Sequence, residues 1–337
     1  MENSATKEKV IIGITTYNLE EYIGVALDSV LKQKVNFAYK ILVVDDASID
    51  RTREILLQYK EKYPNKIDLI FKKENTGSLS SSNILFDNIK SEYFAFLDGD
   101  DYWLSDSRLQ EAVDFLDNHV EYSMYGGNTL YLYGQTIRGS VINQKELGKT
   151  FTYDEFLKSK CPFVHTSSIV LRNLIYNKGV PQDYKDNEKT NFNCVFRGED
   201  IRFIEHLRKG KIYIANKEFS VYRIHNRGVW QGASLIKREI ENCLSMLKYQ
   251  ELFVEGKSFF EERFIKSYCI LLTLIKLKDN EIFQLSKIEL ELLSALLCEM
   301  RGRKFNVFSR KKMKLKYRIY HWLYEKLKKK LEKKGLI

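Results

Sequence analysis

The 337-residue sequence has little proline and little cysteine, with only 3 and 5 residues of each. The cysteines form no CxxC pair and no metal-type spacing with histidine, so we expect reduced core thiols of a cytosolic protein. The N-terminal MENSATKEKV lacks the apolar centre of a signal peptide. The most apolar later run, Tyr268 to Leu277, spans only ten residues and contains Lys276. It is too short to cross a bilayer.

A net positive charge is also absent from the first 300 residues, although the formal net charge of the chain is +10. Residues 301–337 carry a net +13, which leaves −3 for the first 300 residues. A nucleic-acid-binding protein is expected to carry a basic stripe across its fold. The excess of positive charge is confined to one end of this chain, so we expect no nucleic-acid partner. Its 44% hydrophobic and 13% aromatic residues are typical of a globular protein of one large or two modest domains.

Short apolar runs alternate with segments of helical periodicity through the first hundred residues. Continuous apolar runs predict strands that are buried on both faces, and apolar residues at i, i+3, i+4 and i+7 predict helices between them. This alternation is typical of a parallel sheet with helices on both faces, hence an α/β fold. The predicted strands are Val10–Ile14, Ile41–Val44, Ile67–Phe71 and Phe94–Leu97, and the predicted helices are centred on Ala26, Leu56 and Leu85.

The fourth predicted strand runs directly into Asp98, Gly99, Asp100 and Asp101. Open α/β sheets bind ligands at the carboxyl ends of their strands. Clustered carboxylates repel one another unless a cation lies among them, and hard oxygen ligands suit Mg²⁺ or Mn²⁺. The motif therefore predicts a metal and a phosphorylated ligand, with an acidic turn that caps the following helix as the alternative.

Four motifs lie in order at these strand ends: ITTYN (residues 14–18), VVDDAS (43–48), ENTG (74–77) and FLDGDD (96–101). The chain resembles a family 2 glycosyltransferase of the GT-A fold, a Rossmann-like mixed sheet flanked by helices. The resemblance implies metal-dependent, inverting transfer of one sugar from a nucleotide-diphosphate donor, most often UDP-linked. It implies a hydroxyl of a surface-glycan or lipid-linked oligosaccharide as the acceptor. The QxxRW motif of processive members is absent, which favours single-sugar transfer.

The same resemblance assigns roles to residues of the first half of the chain. The residues that it implies for binding the nucleotide are Thr16, Tyr17, Asp45, Asp46, Asn83, Asp98 and Gly99, and it implies Asp100 as a ligand of Mn²⁺ or Mg²⁺. Helix capping is the alternative role for Asp45 and Asp46. The family often has Gly-x-x-x-Ala-Arg-Asn after the third strand, whereas GSLSSSN has Ser82 in place of the arginine. A cation near the diphosphate or the base is therefore missing or comes from elsewhere.

Three further stretches carry candidate residues. An apolar strand is predicted over Phe163–Leu171, with His165 to Ser168 at its start. The resemblance implies that this segment lines the sugar or acceptor pocket, and hydroxyl groups that satisfy the strand end are the alternative. The resemblance implies Asp200 of RGEDIRF as the general base, with Glu199 as its alternative and helix capping as the simpler role. It also implies that His225 and Arg227 contact the donor diphosphate, and that His225 contacts the metal. Two short strands, Ile212–Ala215 and Phe219–Ile224, are predicted before this loop.

The C-terminal third is predicted to be helical, with Ile236, Ile240 and Leu247 facing a core. Within the basic tail of residues 301–337, Met313 to Leu331 predict an amphipathic helix that binds the anionic inner face of the cell membrane, or packs on the fold. We therefore expect four segments: 1–105 for the nucleotide sugar, 106–232 for the acceptor, 233–300 as a helical extension, and 301–337 as the tail. A nucleotidyltransferase is the rival enzyme, but its glycine-rich, Arg/Lys-bearing loop after the first strand is not present.

Overall fold

The computed structural model describes residues 8–225, 232–277, 285–301 and 303. Two predictions fall outside these residues: the role of Arg227 and the amphipathic tail. The described chain forms two compact units, one of residues up to 188 together with 196–225, and one of residues 189–195 together with those after 225. The predicted division into four segments stays a prediction.

The first unit is built on one ten-stranded mixed sheet with helices between its strands. Along the sheet the strand order is β3-β2-β1-β4-β9-β6-β10-β5, with β7 paired to β6 and β8 paired to β10. The strands are β1 (Val10–Thr16), β2 (Tyr39–Asp45), β3 (Ile67–Phe71), β4 (Tyr93–Asp98), β5 (Tyr102–Trp103), β6 (Tyr122–Tyr133), β7 (Thr136–Ser140), β8 (Lys149–Phe151), β9 (Ile169–Arg172) and β10 (Lys211–Ile224). The helices of this part of the chain are α1 (Ile23–Leu31), α2 (Thr52–Lys62), α3 (Ser78–Asn88), α4 (Arg108–Asn118), α5 (Tyr153–Leu157), α6 (Gln182–Asp186), α7 (Asn193–Arg197) and α8 (Glu199–Leu207).

The four strands of the N-terminal half pair in parallel, as predicted, so their carboxyl ends lie along one edge. Register places Thr16 of β1 beside Asp45 of β2, and Thr15 of β1 beside Asp98 of β4. The helix α1 buries Ile23, Ala26, Leu27 and Val30 against this sheet, which is the stripe that the sequence periodicity predicts. The sheet then becomes mixed, because β9 runs antiparallel to both β4 and β6.

In the second half of the sheet, residues 122–133 form one strand, and a Cβ on Gly127 would lie 2.4 Å from the Phe219 ring. Glycine at 127 thus serves close packing. Two predictions about this half of the sheet were wrong in detail. The two short strands predicted over 212–224 are a single strand, β10, whose pairing with β6 shifts register between Ile214 and Ser220. That bulge leaves residues 216–218 exposed, which made the sequence resemble a turn.

The predicted strand Phe163–Leu171 is also shorter than expected. Residues 166–168 form a 3₁₀ turn, and β9 begins only at Ile169. The Ser167 backbone N–H donates to His165 Nδ1 (3.3 Å), and Ser168 Oγ donates to the His165 carbonyl (2.9 Å). Such local side-chain bonds compete with strand pairing. The polar residues HTSS therefore form a turn at the sheet edge.

The second unit is a helical assembly with a separate apolar core. Its helices are α9 (Leu235–Leu252), α10 (Lys257–Leu277) and α11 (Lys287–Met300). Ile236, Ile240 and Leu247 are buried in this core, as their spacing predicts. Within the described residues no helix is both long and apolar enough to cross a membrane.

Candidate active site

Two buried oxygen atoms at the ends of β1 and β2 have no hydrogen-bond partner among the described residues. They are Thr16 Oγ1 and Asp45 Oδ1. The other oxygen of Asp45, Oδ2, accepts from the Ser48 backbone N–H (3.1 Å) and from Arg53 Nε (2.5 Å). Burying a polar atom without a partner costs free energy. These two neighbouring atoms are therefore suited to a ligand that both donates and accepts hydrogen bonds.

Asp46, next in the chain, is already fully engaged by the protein. Its oxygens accept from the backbone N–H groups of Thr76 (3.1 Å) and Gly77 (2.9 Å), and Lys72 Nζ lies 2.5 Å from Oδ1. Gly77 has a φ of +91°, a conformation that favours glycine. Asp46 thus anchors the loop between β3 and α3. Tyr17, in contrast, is exposed beside the free oxygens.

Asn83 is buried on α3, where it bonds to the protein. Its Nδ2 donates to Glu188 Oε1 at 2.6 Å, while its Oδ1 is buried without a partner among the described residues. Its nucleotide-binding role therefore stays a prediction.

The DGDD motif forms a tight turn at the end of β4. The Asp101 backbone N–H donates to the Asp98 carbonyl (2.9 Å). A Cβ at Gly99 would lie 3.2 Å from the Thr15 carbonyl oxygen, so a larger residue would crowd β1. Burial, and then the neighbouring Asp100 carboxylate, raises the pKa of Asp98 to about 6. The turn leads into β5, and the alternative of an acidic cap on the next helix is wrong.

The third carboxylate of the motif, Asp101, holds the turn in place. It is fully buried and accepts from Ser167 Oγ (2.8 Å) and from the Arg223 backbone N–H (3.1 Å). Burial and the charges of Asp98 and Asp100 raise its pKa well above the usual range. Asp101 thus links the turn to β10 and to the 3₁₀ turn, a role that the sequence did not indicate.

A buried arginine, Arg108, holds the 3₁₀ turn of residues 166–168 in place. Arg108 donates to the Ser167 carbonyl (2.7 Å), which also accepts from Trp103 Nε1 (2.8 Å). The Arg108 guanidinium lies 4.0 Å from the Trp103 ring centroid, and burial lowers its pKa to about 9. These contacts fix the position of Ser167, and through it Asp101.

The residues around the turn fit a divalent cation. Asp100 Oδ2 lies 3.0 Å from His225 Nε2, so the two residues predicted to contact the metal are adjacent, and His225 Nδ1 is buried with no partner among the described residues. Ligand atoms of Asp98, Asp101 and His165 also lie within 4.8 Å of one another. In that second group, however, both Asp101 oxygens accept hydrogen bonds from the protein. Carboxylate oxygen and imidazole nitrogen are suitable ligands for Mn²⁺.

The second acidic pair lies at the start of α8. Glu199 Oε2 accepts from the Thr166 backbone N–H at 2.7 Å, and burial, followed by the Asp200 charge, raises the pKa of Glu199 to about 7. Asp200 is exposed. Both line a cleft that is otherwise mostly apolar, bounded by Phe96, Phe163, Val164, Thr166, Ile169, Leu171, Arg202 and Phe203.

The sequence model of Glycosyl transferase family 2 matches residues 11–179, half of the chain. The chain belongs to glycosyl transferase family 2. The resemblance seen in its motifs is therefore confirmed. The putative teichuronic acid biosynthesis glycosyltransferase TuaG of Bacillus subtilis is 29% identical over 74% of this chain and 96% of its own length.

Other relatives match a smaller share of their own length. An uncharacterized protein of Mycobacterium tuberculosis, Rv1520, is 27% identical over 66% of this chain, and the match spans 61% of that relative. Among solved structures, S. aureus TarS 1–349 in complex with UDP-GlcNAc aligns with a TM-score of 0.54 at 20% identity, over 86% of this chain and 81% of TarS. The mannosyltransferase PcManGT from Pyrobaculum calidifontis, in complex with GDP-Man and Mn²⁺, aligns with a TM-score of 0.51 at 16% identity. The alignment covers 94% of this chain and 85% of PcManGT. These likenesses confirm the GT-A fold.

The glycosyltransferase fold therefore brings most of the predicted site residues to one edge of the first unit. The free oxygens of Thr16 and Asp45, the DGDD turn and His225 all follow carboxyl ends of strands. Asp46 and Asn83 are engaged by protein groups instead. Arg223, near the end of β10, receives no role from the sequence motifs.

Proposed function

We propose that this glycosyltransferase uses a UDP-linked sugar. The observation that carries this proposal is a pair of buried oxygens, Thr16 Oγ1 and Asp45 Oδ1, for which the described part of the chain offers no hydrogen-bond partner. The uracil edge presents an N–H donor between two carbonyl acceptors. Asp45 Oδ1 accepts the N–H, and the Thr16 hydroxyl donates to an adjacent carbonyl. Tyr17, which is exposed beside them, packs on the base.

Cytosine and guanine fit this pair of atoms less well. Cytosine carries a ring nitrogen lone pair where uracil carries its N–H, and that lone pair would face the Asp45 carboxylate. Guanine presents two adjacent donors, whereas Arg53 and Ser48 already occupy the second oxygen of Asp45. The UDP-GlcNAc complex of TarS supports uridine in this fold, although the GDP-Man complex of PcManGT shows that guanosine donors also occur in it.

Asp98, Asp100 and His225 would hold Mn²⁺ or Mg²⁺ in this site. When bound, the metal offsets negative charge on the donor diphosphate. Asp98 lies beside β1, where it also contacts the ribose side of the nucleotide. The Mn²⁺ of PcManGT supports a metal-dependent reaction.

Transfer proceeds with inversion, and Asp200 is the general base. The acceptor hydroxyl oxygen forms a bond to the anomeric carbon, the bond from that carbon to the diphosphate oxygen breaks, and Asp200 takes the hydroxyl proton. Asp200 is exposed at the cleft, where an acceptor reaches it. Glu199 is the alternative base, but its Oε2 already accepts a hydrogen bond from the Thr166 backbone N–H at 2.7 Å. We therefore assign Glu199 the role of holding Thr166 in place.

The acceptor is a hydroxyl of a surface glycan or a lipid-linked oligosaccharide, and one sugar is added. The teichuronic acid assignment of TuaG supports this acceptor class. The tail of residues 301–337, with its net +13, would hold the enzyme at the inner face of the membrane. Co-sedimentation of full-length protein and a 1–308 truncation with anionic and neutral liposomes tests this. Anionic-lipid-dependent, salt-sensitive binding that truncation abolishes supports it, and equal partitioning of both proteins contradicts it.

A donor panel tests the function. The purified protein is incubated with UDP-, GDP-, CDP- and dTDP-sugars and Mn²⁺, and the released nucleotide is measured. We expect release from UDP-sugars above GDP- and CDP-sugars, and loss of release with Asp45→Ala. The dTDP-sugars present the same imide edge to Asp45 and Thr16, so the base contacts do not distinguish them from UDP-sugars. A preference for another nucleotide would contradict the uridine proposal without affecting the family assignment.

A further inference from the structure

We propose that Arg223 provides the cation that binds the diphosphate of the donor and stabilises it as it leaves. This inference rests on the proposed function, because it assumes a nucleotide-diphosphate donor at the DGDD turn. Family members often have an arginine at the position of Ser82, so a cation near the diphosphate must come from elsewhere in this chain. Arg223 would be that cation. This inference also assigns a role to a residue that the motif comparison left without one.

The guanidinium of Arg223 lies directly against the DGDD turn. Its Nη1 donates to the Asp100 carbonyl oxygen at 2.7 Å. Its Cζ lies 4.7 Å from the ring centroid of Tyr102 and 5.2 Å from that of Tyr22. Two aromatic rings and one backbone bond hold the planar guanidinium in place beside Asp100, so little side-chain entropy is lost when it binds a phosphate.

Two other cations near these strand ends are already neutralised. Arg53 forms an ion pair with Asp45 (2.5 Å), and Lys72 forms one with Asp46 (2.5 Å). Arg223, in contrast, forms no ion pair with any carboxylate in the part of the chain that the structure describes. Its charge is therefore available to an anion, and a diphosphate whose metal is held at Asp100 lies within reach of that side chain.

The chemical role follows from where charge moves in the reaction. As the bond from the anomeric carbon to the diphosphate oxygen breaks, its electron pair moves onto that oxygen, and the acceptor proton passes to the base. Guanidinium N–H groups bind phosphate oxygens as charge-assisted, often bidentate, hydrogen bonds. Arg223 therefore stabilises the diphosphate of the bound donor. It stabilises the diphosphate more strongly as negative charge develops on the leaving oxygen.

Calorimetric titration of the variants Arg223→Gln and Arg223→Lys with UDP and with uridine, in the presence of Mn²⁺, tests the proposal. A charge-assisted bond to phosphate predicts that Arg223→Gln binds UDP about 10- to 100-fold more weakly than wild type. Uridine lacks the phosphates, so its affinity should be unchanged. Lysine retains the positive charge but cannot form the bidentate hydrogen bonds of a guanidinium. Arg223→Lys should therefore bind UDP more tightly than Arg223→Gln but more weakly than wild type.

Lys217→Gln is the matched control, because it removes one positive charge from the same strand, where Lys217 pairs with Glu111 on the surface. It should leave both affinities unchanged. Equal losses for UDP and uridine in Arg223→Gln would assign Arg223 a structural role and overturn the proposal, as would unchanged UDP affinity. A wild-type protein that binds uridine but gains nothing from the diphosphate would also overturn it. If the wild type binds neither ligand, the proposed function itself fails.

Discussion

Replacing Glu199 by glutamine should make the fold more stable at neutral pH. Glu199 is largely buried next to Asp200, and its pKa rises from 4.5 to about 7 in the folded protein. Between pH 4.5 and about pH 7, the Glu199 carboxyl group therefore keeps its proton in the folded state but has lost it in the unfolded chain. The unfolded state then binds fewer protons, so the free energy of unfolding falls as the pH rises.

The size of the effect follows from the shift. A difference of 2.5 pH units in the pKa corresponds to at most about 3 kcal/mol of unfolding free energy. Glutamine carries no charge at any of these pH values, and its side-chain oxygen can still accept from the Thr166 backbone N–H. The variant should therefore match the wild type at pH 4.5 and exceed it progressively up to about pH 8.

The measurement is urea unfolding of both proteins at pH 5, 6, 7 and 8. Trp103 is buried in the first unit, so its fluorescence reports on that unit when the other two tryptophans, Trp230 and Trp322, are replaced by phenylalanine in both proteins. Asp200→Asn is the control: it removes the neighbouring charge that helps to raise the Glu199 pKa, so it should reduce the slope with pH. A stability difference between Glu199→Gln and wild type that does not change with pH would refute the reasoning.

Three further substitutions have defined outcomes. Asp100→Ala should abolish transfer and weaken donor binding, EDTA should do the same to the wild type, and undiminished turnover in EDTA would contradict metal dependence. Asp200→Asn should lower kcat by ~10²–10⁴ with the donor dissociation constant unchanged, whereas near-normal turnover would point to Glu199 as the base. Ser167→Ala leaves buried Asp101 without one donor and should destabilise the first unit by about 1–3 kcal/mol in urea unfolding; wild-type stability would show that this bond contributes little.

The first four strands could be predicted closely because their signal is local. Each is a continuous apolar run in a parallel sheet, and β3 matches its predicted bounds at both ends. The helical extension was predicted equally well from the spacing of Ile236, Ile240 and Leu247. Strands buried on both faces have continuous apolar runs, and helices buried along one stripe have apolar residues every three or four positions. Both patterns can be recognised directly in the sequence.

The remaining features depend on partners far away in the sequence. Asp101 is bonded to Arg223, 122 positions later, and to Ser167, 66 positions later. Nothing in the local sequence distinguishes Asp101 from Asp98 and Asp100. The same holds for β10, which stays one strand because β6 continues beside it across the register shift. Sequence motifs thus located the candidate site, but only the fold separated residues with free atoms, such as Asp45, from those engaged by the protein, such as Asp46.

Side-by-side calorimetric titrations of the wild-type protein with UDP and CDP in the presence of Mn²⁺ test the central claim most directly. The two ligands share the ribose and the diphosphate, so their difference reports only on the base contacts of Asp45 and Thr16. We expect UDP to bind at least about 10-fold more tightly, because cytosine places a lone pair against Asp45 Oδ1 and loses a charge-assisted hydrogen bond. Equal affinity for UDP and CDP would contradict the account of the nucleotide site.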